Sequence, residues 1–200
     1  KNFIKKIFFI ILLYLFGLAS NSYAYDSDPK KFISEIVNEA KMILVKSNTK
    51  EFKSKKLSEI ALKTVDIKGV GFYSLGKYKK KLNEEQLNKY FSLFEKYFLK
   101  SFTSRLSDYS DPKIEVVSSE IISEKYTIVR SVLLANNKKP EVKIEWRVYT
   151  KNPDKPLIRD LIIEGLSLAR TQKEEFASVI ESNNGDINQL FISLENFIAK

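Results

Sequence analysis

The chain has 200 residues, with 34 Lys and Arg against 25 Asp and Glu and neither histidine nor cysteine. Without cysteine there is no disulfide framework, thiolate nucleophile, CxxC pair or Cys-ligated metal cluster; without histidine the commonest general base and metal ligand are gone, and the Ser-His-Asp triad with them. A composition 44% hydrophobic and 30% charged is that of one globular unit rather than a disordered chain.

Lys1, Lys5 and Lys6 open the chain, and the uncharged run Ile7 to Leu18 follows. Small and polar residues come next, with Ser22 and Ala24 at the spacing a signal peptidase accepts. Residues 1–24 therefore read as an export signal cleaved after Ala24, and 25–200 as a single domain. A membrane anchor needs ~20 apolar residues, and this run offers about a dozen. No cysteine stands at the junction to carry a lipid. Removing the signal's lysines leaves 31 basic residues against 25 acidic, a net charge of +6. Such a charge suits an anionic membrane surface or an acidic partner. No RNP, KH, zinc-finger or helix-turn-helix signature is present, so nucleic acid is not expected. An exported chain without cysteine points to a bacterial envelope.

Asp28-Pro29 reads as a helix start, and Phe32, Ile33, Ile36, Val37, Ala40, Ile43 and Leu44 recur at helical spacing to about Val45. Thr49 caps a lysine-rich second helix with Phe52, Leu57, Ile60, Ala61 and Val65 on its apolar side. Lys68-Gly69-Val70-Gly71 reads as a break, a plain loop, since the rest of a phosphate-binding motif is missing. Asn83 and Gln86 form a capping box for the longest helix, expected to run to Leu106. Its apolar side is Leu87, Tyr90, Phe91, Phe94, Tyr97, Phe98 and Phe102.

From Lys113 the period changes to two, with strands expected at 114–121, 125–135, 141–151 and 157–163. The short links permit hairpins only, so the sheet should be an antiparallel meander. Val142, Ile144, Trp146 and Val148 share one face of the third strand; Lys143, Glu145, Arg147 and Tyr149 share the other. A second capping box, Thr171 with Glu174, opens a helix that Asn183-Asn184-Gly185 ends, and Asp186 with Gln189 starts the last one. The expected architecture is α+β: a four-stranded, mostly antiparallel curved sheet with helices packed on one side.

Asp160 and Glu164 are the only carboxylate pair worth weighing for catalysis. Four residues apart on a strand they stand about 13 Å from each other, beyond the roughly 5.5–9.5 Å of a glycosidase pair. Their expected role is structural: pairing with Arg147 or Lys143, or receiving backbone N–H groups near Gly165. Ser167 has no partner base, and Lys173 lies in another element. No catalytic residue, metal site or cofactor is assigned, and the chain is not read as an enzyme.

The stretch Val142-Lys143-Ile144-Glu145-Trp146-Arg147-Val148, then Asp160-Leu161-Ile162-Ile163-Glu164-Gly165-Leu166-Ser167-Leu168, then Phe176, resembles the toluene-tolerance (MlaC-type) family. Gly76-Lys77-Tyr78 and Glu85-Gln86 to Tyr90-Phe91 and Phe94 are similar to that family's middle segment. The chain departs from the family at Pro156, where an aromatic is usual, and at Gln172-Lys173, where Tyr-Arg is usual. The resemblance implies a periplasmic phospholipid carrier, an auxiliary component of an ABC-type lipid transport system that maintains outer-membrane lipid asymmetry. It also implies a monomer and an apolar pocket between sheet and helices for acyl chains. The implied partners are phospholipid, an inner-membrane transporter complex and an outer-membrane lipid-handling complex. The wall residues expected on this reading are Phe91, Phe94, Phe98, Val132, Leu134, Ile144, Trp146, Val148, Leu161 and Ile163. The alternative is a lipid-free basic adaptor of an envelope complex, whose apolar side is ordinary core.

Overall fold

The computed structural model describes residues 24–107, 109–136 and 140–200. The export signal expected at 1–24 thus lies outside the described residues, apart from Ala24.

Helix α1 (Pro29–Val45) starts where Asp28 accepts the Lys31 N–H at 2.9 Å, with Pro29 fixing φ at its first position. It buries Phe32, Ile33, Ile36, Val37 and Leu44. Thr49 caps α2 (Lys50–Thr64), which ends as Val65 turns extended and bridges Ile158. Asp66 then caps α3 (Ile67–Ser74), a 3₁₀ turn spans Gly76–Lys81, and α4 (Glu84–Leu106) begins at the Asn83–Gln86 capping box. After the sheet come α5 (Leu168–Glu181) and α6 (Asn188–Ala199). Among the described residues, no helix is long and apolar enough to cross a membrane.

The sheet has five strands in chain order, β1 (Ile114–Ser123), β2 (Tyr126–Leu133), β3 (Val142–Tyr149), β4 (Leu157–Ile163) and β5 (Leu166–Ser167), each antiparallel to its neighbour. Four strands were expected; the fifth is two residues long. Glu164 (φ 49°) and Gly165 (φ 81°) both lie in the left-handed region, as a two-residue hairpin turn of the primed kind requires. They fold Leu166 and Ser167 back onto Ile163 and Ile162. Register shifts interrupt β1 twice and the β3–β4 pair once, and such irregularities bend a strand.

Three starts differ from expectation, the last helix opening at Asn188 behind Ile187, with no side-chain cap, rather than behind Asp186. The Lys68–Gly71 segment is not a loop but the body of α3, because Gly71 lies so close to α4 that a Cβ there would stand 2.7 Å from the Phe94 ring. Tyr90 seals the contact by donating its hydroxyl to the Gly71 carbonyl at 2.9 Å. Helix α5 begins at Leu168, a turn before the Thr171 box. Ser167 is its cap, accepting from the Arg170 N–H at 3.1 Å while donating to Asp160 at 2.6 Å.

Two apolar clusters result. One joins α3, α4, α5 and α6 around Tyr90, Phe94, Phe176, Ile180, Leu190 and Leu194. The other joins α1, α2 and the sheet around Phe32, Ile33, Val129, Val148 and Ile158. Val65 packs against both.

Candidate functional site

Strand alternation and register place Thr127, Val129, Ser131 and Leu133 on one face, beside Val148, Trp146, Ile144 and Val142 of β3. Ile158, Leu161 and Ile163 of β4 continue these rows. Burial along this face is graded. At one end Val129 and Val148 are fully buried and Ile158 nearly so, under α1 and Ile60 of α2. Toward the other end Trp146, Ile144, Val142, Leu133, Leu161 and Ile163 are only half-buried.

That open end is chemically uniform. Among the described residues its one polar side chain, Ser131, is 2% exposed and is consumed internally: it accepts the Trp146 indole N–H at 2.8 Å. The indole's donor is thus satisfied, and only its hydrocarbon surface remains to be covered.

The aromatic helix contributes differently along its length. Phe94, 1% exposed, is core: its ring meets Tyr90, Tyr97, Phe98 and Phe176 at centroid distances of 5.7–6.3 Å. Phe98 is half-buried and stacks on Phe102 at 5.8 Å, nearly parallel. Phe91 lies toward the surface beside Phe72, with the Lys68 ammonium 5.0 Å above its ring. Helix α4 packs chiefly on α2, α3 and α6, whereas α1 lies on β1 and β2.

The expected wall residues are thus distributed, not gathered. Ile144, Trp146, Leu161 and Ile163 form one continuous half-buried strip, and Val148 sits at its closed end. Phe94 and Phe98 belong to the helical cluster. Val132 pairs with Lys143, so it stands on the opposite face of the sheet from Trp146, and Leu134 lies just beyond the strand. Leu133, Val142 and Phe102 belong with the half-buried strips and were not among the expected wall residues. The period-two row through Ile144 and the four-residue step from Phe98 were the signals that pointed to them.

The polar candidates are architectural. Asp160, 7% exposed, accepts from the Ser167 hydroxyl and from the Ala169 N–H at 2.9 Å, holding the start of α5 against β4. Glu164 accepts the Lys143 N–H through its side chain while donating its own N–H to the Lys143 carbonyl at 3.1 Å. Asp66 accepts from the Arg159 guanidinium at 2.7 Å, and that guanidinium lies 3.8 Å over the Tyr149 ring. A pocket of about 240 Å³ at Leu75, Gly76, Tyr78, Lys173, Ala177 and Glu181 shares no residue with the apolar strips. It is smaller than the ~300–1,000 Å³ of ordinary small-molecule sites. Among the described residues no acidic cluster is arranged to hold a metal ion.

The fold has a solved counterpart. The fold is similar to that of a phospholipid-binding protein from Ralstonia solanacearum, determined in complex with a phospholipid, with a TM-score of 0.70. The match covers 87% of this chain and 97% of that one at 21% sequence identity, so the likeness is one of fold. The model of the MlaC protein family matches residues 33–196, and the chain belongs to that family.

Proposed function

We propose that this protein is a periplasmic phospholipid carrier, exported with cleavage after Ala24. It holds acyl chains against the half-buried strip Ile144, Trp146, Leu161 and Ile163, and shuttles lipid between the inner and outer membranes as a monomer. The observation that carries this reading is that strip: a run of large apolar side chains on one face, its polar neighbour Ser131 internally satisfied, adjoining a core already closed by α1. The phospholipid in the solved structure of similar fold supports it. Val148 backs the strip from the cluster packed under α1, while Phe94 and Phe98 stay in the helical cluster.

The physics needs no catalytic group. Exposing a lipid's chains to water costs ~0.8 kcal/mol per CH₂, so two chains of roughly thirty such groups cost on the order of 20 kcal/mol. A soluble protein lowers that barrier by offering a wall about as apolar as the bilayer. Direction must come from an energised inner-membrane complex and an outer-membrane acceptor, because a passive binder favours neither side.

Lipid extracted from purified protein tests the assignment. Trp146→Asp and Ile163→Asp should lose bound phospholipid at least tenfold, and Lys143→Ala, on the opposite face, should keep it. Equal lipid content in all three, with folding verified by circular dichroism, removes the strip from the binding site, whereas wild-type protein that yields no lipid favours the lipid-free adaptor.

A further inference from the structure

Helix α3 exposes two adjacent large aromatics, Phe72 (42%) and Tyr73 (47%). Each carries a lysine: the Lys79 ammonium is 4.7 Å from the Phe72 centroid and that of Lys173 5.4 Å from Tyr73. Beside them Lys68 covers Phe91, while Lys77 and Lys81 flank Tyr78 at 5.2 and 5.3 Å. Within this patch Lys77 alone is paired with a carboxylate, Glu181 at 2.7 Å. Lys68, Lys79, Lys80, Lys81 and Lys173 have no carboxylate within ion-pair distance among the described residues. The next acids along the chain, Glu84 and Glu85, occupy the first turn of α4.

We infer that this lysine–aromatic patch on α3 and the 3₁₀ turn docks the protein onto an anionic phospholipid bilayer surface. The chemistry fits that occupant in two ways. Aromatic rings with polar neighbours settle at the headgroup level of a bilayer. Lysines long enough to reach past them gather anionic headgroups while their stems cover the rings. The charge is local: a 3₁₀ turn of sequence Gly-Lys-Tyr-Lys-Lys-Lys places four ammonium groups within six residues. The patch shares no residue with the lipid-holding strip, so docking and carriage can fail separately.

Co-sedimentation with vesicles tests the inference. Full-length mature protein should bind vesicles of phosphatidylcholine mixed with phosphatidylglycerol, release them at high salt, and ignore phosphatidylcholine alone. Each lysine at the surface contributes about fivefold, so the Lys79→Ala/Lys80→Ala/Lys81→Ala variant should bind about a hundredfold more weakly. Phe72→Ser/Tyr73→Ser should also weaken binding. A charge-matched control, Lys41→Ala/Lys46→Ala/Lys55→Ala, should lose less than a few fold. Trp146→Asp should leave vesicle binding unchanged even where it abolishes lipid content. If wild-type protein ignores the anionic vesicles, or the control weakens as much as the patch variant, the inference is overturned; in the first case an acidic protein face becomes the occupant to seek.

Discussion

Gly71 and Asp160 show how single residues set the frame. An alanine at 71 gains helix propensity of about 1 kcal/mol, but its methyl must displace the Phe94 ring, which is 1% exposed and cannot yield. Overpacking of this kind costs about 1–3 kcal/mol, so Gly71→Ala should lower the melting temperature despite its better helix propensity. Asp160→Ala leaves the Ser167 hydroxyl and the Ala169 N–H without their acceptor. Unmade buried bonds cost about 1–3 kcal/mol each, and thermal melts should show Asp160→Ala well below Asp160→Asn, which keeps one acceptor. Lipid held at high occupancy masks part of either loss, so both comparisons belong on delipidated protein.

At the scale of elements, the clasp between Asp66 and Arg159 joins the α2–α3 corner to β4. Asp66 also accepts the Gly69 N–H at 2.9 Å, so Asp66→Ala removes a helix cap and an ion-paired hydrogen bond together. The loss should be on the order of 2 kcal/mol, read as a shifted denaturant midpoint. Elements whose causes are local were legible in the sequence: the Asn83–Gln86 box, the Asp28-Pro29 start, the alternation of β3 and the Asn184-Gly185 stop. Those whose causes are tertiary were not. Gly69 and Gly71 look like loop residues until the Phe94 ring supplies a reason for glycine inside a helix. Ser167 starts α5 ahead of Thr171 because Asp160 holds it, and β5 exists because Glu164 and Gly165 reverse the chain for two residues. The strip of β3 followed directly from period two. In β2 the face is Val129, Ser131 and Leu133 rather than Val132, because a serine satisfied by Trp146 interrupts the apolar row.

For the molecule as a whole, the two apolar clusters share Val65, and among the described residues neither closes the strip running from Trp146 to Ile163. Phenols are built into both. Burial pushes Tyr90 and Tyr97 above the ordinary phenol range, and burial together with the Glu39 carboxylate does the same for Tyr25. The folded chain therefore keeps protons that the unfolded chain releases near pH 10, so this stability is complete below that pH and declines as pH rises through the folded-state values. Melts should hold level up to about pH 10 and fall above it, with the tyrosinate absorbance of these residues appearing only on unfolding. A flat profile would place the phenols in water.

The carrier reading finally requires an interior that accepts hydrocarbon from outside the polypeptide. Native mass spectrometry of protein purified from a bacterial envelope, never exposed to detergent, reads this directly. The predicted spectrum shows a species heavier than the mature chain by one phospholipid, lost in Trp146→Asp; a wild-type spectrum of bare polypeptide alone contradicts the account.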